Sequence, residues 1–384
     1  MKRLGCILAA AAVLISLLPL GAGAVELDLD GKSALLMDVT TGTVLYEKNP
    51  HEALPPASVT KVMTMLLIME AIDSGKIRWD DMVTASETAA AKGGSQIYLK
   101  VGETMSVSDM VKSIAVSSAN DCACAMAEHL AGSESAFVDM MNLRAQELGM
   151  ADTHFVNCTG LDDDPEAANH KTSAHDIAIM SRELLGKHPD IKKYTTIWMD
   201  TVRDGAFGLS NTNKLIRFYS GATGLKTGFT SGAGYCLSAS AQREGMELIA
   251  VVMGCETSQK RTAACKAMLD YGFANFAVVN PTLEEELRIP VILGKAGDVA
   301  VKPAHTQGVL IDKGQRSLVT TEVEPVQEVK APVSLGQSLG TMTVKAGEQV
   351  LARIPLVAAE PVERLTFGDL FVLVLKHAAM AKNK

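Results

Sequence analysis

The chain has 384 residues, of which 47% are hydrophobic and 21% charged, and it carries a formal net charge of −8. Such a length and composition suit a folded protein of two domains rather than a disordered or fibrous one. The negative balance, with no cluster of Lys and Arg, excludes a nucleic-acid partner, because a polyanion is held by concentrated positive charge.

Met1-Lys2-Arg3 is a short basic start, Leu4 to Leu20 is almost wholly apolar, and Ala22-Gly23-Ala24 offers the small residues that a signal peptidase reads. Residues 1–24 are therefore expected to be an export signal cleaved after Ala24. The alternative is an uncleaved anchor, although the apolar run is about as short as a spanning helix can be.

A domain over 25–279 is expected to follow. Ser33 to Val39 and Thr43 to Glu47 flank a Thr41-Gly42 turn and read as two paired strands. Pro55-Pro56-Ala57 leads to Ser58, and the nearly unbroken apolar run Val62 to Ile72 predicts a helix buried on most sides. Ser58 and Lys61 then fall one turn apart on one side of its start. Val107–Ala115, Cys122–Ala131 and Ser135–Leu148 have helical spacing, interrupted by Ser117-Ser118-Ala119-Asn120 and by Gly132. A loop over 157–171 carries the acidic tract Asp162-Asp163-Asp164, which lacks the ligand spacing of a calcium loop. Ser173–Leu185 resumes as helix. Leu225–Phe229, Tyr235–Ala241 and Glu247–Met253 read as an antiparallel meander, with Lys226-Thr227-Gly228 on its first strand. Gly228 lacks a side chain, so a ligand's backbone could approach and pair there as an added strand. Strands at both ends with helices between predict an α+β domain on an antiparallel sheet.

Residues 280–362 change texture. Ile289–Leu293, Val299–Val301, Gly308–Ile311 and Gln349–Ile354 are short β-rich runs that predict a small all-β sandwich. Leu365–Ala381, within 363–384, is apolar and trailed by Lys382 and Lys384, too short to span a bilayer. It would lie in a lipid interface or pack on its own domain. Of the seven cysteines Cys6 leaves with the signal; Cys122, Cys124, Cys158, Cys236, Cys255 and Cys265 permit disulfides in an exported chain but read more readily as small buried hydrophobes. Neither they nor the eight histidines have metal-ligand spacing, so no metal or cofactor is expected.

Ser58-Val59-Thr60-Lys61, Ser118-Ala119-Asn120 and Lys226-Thr227-Gly228, in that order, are the triple of the penicillin-binding proteins and class A β-lactamases. With Gly94-Ser95-Gln96, Thr159-Gly160-Leu161-Asp162, Ser173-Ala174-His175-Asp176 and Gly272-Phe273, the chain resembles the D-alanyl-D-alanine carboxypeptidases among the low-molecular-weight penicillin-binding proteins. Asn211 to Leu215 and Arg217-Phe218-Tyr219 make it similar to the type found in Gram-positive, spore-forming bacteria.

This resemblance implies a serine hydrolase that removes the terminal D-alanine from peptidoglycan stem peptides and is acylated by β-lactams, acting outside the cell on the membrane face. Ser58 is the implied nucleophile and Lys61 its base, with the lysine pKa lowered from about 10.4 by burial and by the Lys226 charge. Ser118, bridging the two lysines, would pass a proton toward the departing D-alanine nitrogen. Asn120 would hold the substrate peptide group, while Lys226, Thr227 and Arg261 would hold its terminal carboxylate. The backbone N–H groups of Ser58 and Phe229 would form the oxyanion hole. Phe229 stands where some relatives have His. Glu166 and Asn169 faintly resemble the water-activating loop of class A β-lactamases, which makes a β-lactamase the alternative, with a non-catalytic penicillin- or wall-binding protein as a third reading. An endopeptidase would use the same residues.

Overall fold

A computed structural model describes residues 27–163, 165–283 and 285–381; the expected export signal lies outside them. The chain divides into two compact units, one of Leu27–Val279 with Leu310–Gly314, the other of Asn280–Val309 with the chain from Gln315 onward.

In the first unit, strands β1 (Ser33–Asp38) and β2 (Val44–Lys48) form the opening hairpin. Helices α1 (Lys61–Asp73), α2 (Val107–Ser117), α3 (Asn120–Ala131), α4 (Glu134–Glu147) and α5 (Ala174–Lys187) follow. Strands β3 (Ala222–Thr230), β4 (Gly234–Arg243) and β5 (Met246–Cys255) make the meander, and helix α6 (Ser258–Asn275) closes it. The five strands form one sheet in the order β2-β1-β5-β4-β3, so the first and last strands of the sheet in chain order pair within it and β3 is an edge.

Period-two alternation gives that sheet two buried faces. Leu35, Met37, Ile249, Val251 and Met253 face a cluster built with α1 and α3–α5. Ala34, Leu36, Leu248, Ala250 and Val252 face the other way, against Ala264, Cys265, Met268 and Leu269 of α6. Helix α1 sits inside the first cluster and is buried from Lys61 through Met69, which is why its sequence has no polar face. Ser residues cap the helices: Ser106 Oγ accepts from Asp109 N and Ser173 Oγ from Asp176 N.

Helix α6 was not anticipated from the sequence. Its signal was present in the Thr257 N-cap, which accepts from Lys260 N, and in the apolar pairs 264/265, 268/269 and 272/273. Gly272 lets it approach the sheet, since a Cβ there would lie 2.4 Å from Leu248 Cδ1.

The second unit contains Leu287–Ile292, Asp298–Pro303, Val319–Pro325, Val329–Lys330, Ser338–Ala346 and Gln349–Ala358, antiparallel apart from the pairing of Val291 with Val329 and Ile292 with Lys330. Ile289, Val291, Val299, Val301 and Leu339 fill its core. The strand expected at 308–311 instead pairs, as Val309–Asp312, with Phe276–Val279, and Leu310 joins the α6 cluster. Helix α7 (Phe367–Ala381) ends the described chain.

A carboxylate ties the front of the helical layer together. Asp121, fully buried in the first turn of α3, accepts from Ile97 N, Leu99 N and its own neighbour Cys122 N, at 2.9–3.3 Å. Asp121→Asn turns an NH2 group toward one of these donors. We expect a loss of about 2 to 3 kcal/mol in urea denaturation, the scale of charge-assisted bonds left unmade; an unchanged midpoint would mean that the 94–99 segment is held by other contacts.

Candidate active site

Ser58 lies on a single 3-10 turn, Ala57–Thr60, from which α1 continues at Lys61. The turn starts from a left-handed residue that is not glycine, Ala57 at φ +49°. This conformation is costly for an L-residue and persists only where surrounding contacts enforce it. Three residues of 3-10 and helical rise bring Lys61 Nζ 2.9 Å from Ser58 Oγ. The ammonium is fully buried and its second partner is a neutral carbonyl, Thr159 O, at 2.7 Å. Among the described residues no carboxylate forms an ion pair with it. Burial therefore pushes its pKa down to about 7, outweighing the opposing effects of Cys158 and Asp121.

The carbonyl that receives Lys61 is set by Asn157. Asn157 Oδ1 accepts from Gly160 N at 2.7 Å and from Thr159 N and Oγ1 at 3.2 Å, and Nδ2 donates to Leu161 O. The tight turn needs Gly160, at φ +80°, because a Cβ there would come 1.9 Å from Ala57 O. Loop and nucleophile turn are thus in direct backbone contact.

Ser118 is the C-cap of α2, held left-handed at φ +63°, and is nearly buried. Its hydroxyl makes no hydrogen bond among the described residues, so the expected bridge between the lysines is absent from this arrangement; Lys226 Nζ donates to Thr227 O instead, at 2.9 Å. Asn120, the first residue of α3, donates from Nδ2 to Gly93 O at 2.7 Å, while its own N–H donates to Ser95 O. Asn120 Oδ1 is buried with no partner, an acceptor open to an incoming N–H.

Strand β3 supplies the other wall. Lys226 is almost fully buried, and its pKa falls well below the ordinary value through burial first, then the charges of Lys61 and Arg261. Burial is the first cause of the lowered pKa at both lysines, and the repulsion between their charges adds to it. Thr227 Oγ1 meets Thr212 Oγ1 at 2.7 Å. Thr212 is flanked by Asn211, which donates to Thr195 O and Ile197 O, and Asn213, which donates to Gly224 O. The string 211–213 is a clamp on this strand. At Gly228 the crowding comes from the nucleophile turn itself: a Cβ would stand 2.6 Å from Pro56 O and 3.1 Å from Ser58 N.

Phe229 is 54% exposed and stacks on Tyr235 with centroids 4.2 Å apart. Arg261 reaches β3 from the first turn of α6. Its Nη1 donates to Gly228 O at 3.2 Å and Cys236 O at 3.4 Å, its guanidinium lies 5.5 Å from the Tyr235 ring, and its Nε is buried without a partner. Burial lowers its pKa.

The structure thus brings Ser58, Lys61, Gly228 and the 157–161 loop into contact, with Lys226 and Arg261 close enough for their charges to interact. Glu166 and Asn169 sit on an exposed 3-10 turn, Pro165–Asn169. The positioning residues Asp121, Asn157 and His170 were missed, although each lies within or beside a quoted motif or loop. The six cysteines among the described residues are free and buried; burial raises the Cys236 thiol to about 11.

A family model described as D-alanyl-D-alanine carboxypeptidase matches residues 21–257, and one described as the C-terminal domain of penicillin-binding protein 5 matches 284–364. D-alanyl-D-alanine carboxypeptidase DacF of Bacillus subtilis (strain 168) is 44% identical over 349 residues, covering 89% of this chain and 88% of its own. The crystal structure of penicillin binding protein 5 from Haemophilus influenzae superposes with a TM-score of 0.74 at 31% identity, over 89% of this chain and 100% of that one. Penicillin-binding protein D2 from Listeria monocytogenes, in its ampicillin-bound form, gives 0.59 at 33% identity, over 65% of this chain and 99% of that one. With two consecutive family models spanning both units and relatives aligned along nearly their whole length, this chain belongs to the D-alanyl-D-alanine carboxypeptidase family.

Proposed function

We propose that the chain is a serine D-alanyl-D-alanine carboxypeptidase that releases the terminal D-alanine of peptidoglycan stem peptides through an acyl-enzyme on Ser58. The observation that carries this reading is the Ser58–Lys61 pair, a hydroxyl 2.9 Å from an amine whose burial lowers its pKa to about 7. At that value about half the lysine is neutral at pH 7, against roughly three in ten thousand for an ordinary one. A neutral Nζ accepts the Ser58 proton as Oγ attacks the carbonyl between the two D-alanines.

The remaining roles follow from placement. Edge strand β3 has one side without a neighbouring strand, where an extended peptide can pair. Asn120 Oδ1 accepts the acyl-side N–H. Lys226, Thr227 and Arg261 receive the terminal carboxylate, whose charge relieves their mutual repulsion. The N–H groups of Ser58 and Phe229 hold the oxyanion, each donor contributing about 3 to 4 kcal/mol. Ser118 passes a proton to the departing amine once substrate draws the lysines together. β-Lactams, which present a strained amide and a carboxylate in this geometry, acylate Ser58. The exposed position of Glu166 favours this reading over a β-lactamase, whose deacylating carboxylate must stand beside the nucleophile.

The enzyme works on the wall, outside the cytoplasm. Residues 1–24 act as the export signal. Helix α7 binds the membrane surface: at about 1.5 Å per residue its fifteen residues reach about 22 Å, short of a hydrocarbon core of about 30 Å. Its Phe367, Phe371, Val372, Val374 and Leu375 are exposed, Phe367 at 85%. Among the described residues no helix is long and apolar enough to cross a membrane.

Three outcomes are expected. Ser58→Ala abolishes penicillin labelling and D-alanine release from diacetyl-L-lysyl-D-alanyl-D-alanine with the fold intact by circular dichroism; surviving label would move the nucleophile elsewhere. Because only neutral Lys61 accepts the proton, the acylation rate falls about tenfold per pH unit below 7 and levels off above it; a flat profile across this range would remove Lys61 as the base. Deleting Leu365–Lys384 moves the enzyme from membrane to soluble fraction with activity on small peptides retained, whereas an unchanged membrane fraction would mean that the leader stays attached.

A further inference from the structure

The strained Ala57 next to the nucleophile is held by a directional chain of hydrogen bonds that starts at a buried histidine. His170 Nδ1 accepts from Val156 N–H at 3.0 Å, so this nitrogen carries no proton and Nε2 does. Nε2 is 2.8 Å from Thr60 Oγ1 and therefore donates to it. The Thr60 hydroxyl, having accepted one bond, donates its own proton to Ala57 O at 2.8 Å. Thr60 is fully buried and His170 nearly so, with the imidazole edge-on to the Phe155 ring.

The carbonyl at the end of this chain has little freedom. A Cβ on Gly160 would lie 1.9 Å from Ala57 O and 2.7 Å from Thr60 Oγ1, so the 157–161 loop closes directly over both. A Cβ on Gly228 would lie 3.1 Å from both Ala57 Cβ and Ser58 N, which closes the other side. With φ at +49°, rotation of the Ala57 peptide swings the Ser58 N–H and, with it, the start of the side chain. Burial first, then the charges of His154 and Lys61, lower the His170 pKa to about 4. The imidazole therefore stays neutral, and its tautomer fixed, throughout the range in which Lys61 titrates.

We propose that His170 and Thr60 are positioning residues for the acylation step: the histidine orients the threonine hydroxyl, which holds the Ala57 carbonyl and so aims the N–H and hydroxyl of Ser58. Nothing in the chemistry requires either side chain to touch substrate. The proposal rests on Ser58 being the nucleophile and adds that the orientation of its backbone is maintained from a residue 112 positions away in the chain.

The test uses the full-length enzyme and a fluorescent penicillin, separating the affinity of the non-covalent complex from the acylation rate constant at saturation. Thr60→Val keeps the shape and removes the hydroxyl; it should slow acylation about 10- to 100-fold, the scale of a sub-ångström to ångström misplacement of reacting atoms. Non-covalent affinity should stay near wild type, while the melting temperature falls by a few degrees because His170 Nε2 and Ala57 O lose their partner. Thr60→Ser should recover most of the rate. His170→Asn keeps an acceptor for Val156 N–H and loses the donor to Thr60. It should match Thr60→Val, and the double variant should be no slower than either, as expected for two members of one chain. Acylation at the wild-type rate in Thr60→Val, or rate losses that multiply in the double variant, would overturn the proposal. So would losses of affinity as large as those of rate in both single variants, the mark of a purely structural role. Label persisting in Ser58→Ala would fault the nucleophile assignment instead, and so separates the two failures.

Discussion

The site depends on one constraint, a lysine placed in the interior without a counter-ion. An ammonium moved from water into protein loses several kcal/mol of solvation unless it is paired, and the group relieves this by giving up its proton. Lys61 has two partners, a hydroxyl and a backbone carbonyl, and neither carries charge. A carboxylate in place of Thr159 O would hold the proton on the amine and leave Ser58 without a base. The helix that carries Lys61 is buried from Lys61 through Met69, largely among apolar side chains, and the loop that meets its Nζ presents a carbonyl rather than an acid.

Around that lysine the elements approach more closely than side chains would allow. Gly160 and Gly228 lie on either side of the turn that carries Ser58, and each would clash with its backbone if it bore a Cβ. Gly272 plays the same part on the far face of the sheet, bringing α6 and with it Arg261 against β3 and β4. At all three positions the missing side chain lets the protein approach itself.

Buried polar side chains complete the frame by satisfying backbone groups where regular structure stops. Asp121 receives the N–H groups of the 97–99 segment, Asn157 those of the 159–160 turn, and Asn211 and Asn213 donate to carbonyls flanking β3. Asp121 adjoins Asn120, Asn157 shapes the turn whose carbonyl meets Lys61, and Asn213 holds β3 two residues before Lys226. The two classes are hard to tell apart in a sequence because both are polar residues in conspicuous short strings, and their difference is whether the side chain ends at another part of the chain or at open space. Asn120 does both, with Nδ2 on Gly93 O and Oδ1 free.

The sequence by itself determined the local elements and the inventory of reactive groups. Apolar periodicity located α1 to α5 and the three strands of the meander within a few residues, because burial of one face leaves a repeat of 3.6 or 2 in the chain. Spacing alone put Lys61 one turn from Ser58, since three residues along a helical path bring side chains together wherever the helix lies. Only the tertiary structure decided what those groups are worth. That β1 pairs with β5, that the 157–161 loop closes over Ala57, that Lys61 Nζ meets the neutral carbonyl of Thr159, and that Arg261 reaches β3 from α6 are contacts between segments far apart in sequence. Desolvation and close approach are properties of the assembled interior, and no window of local sequence contains them.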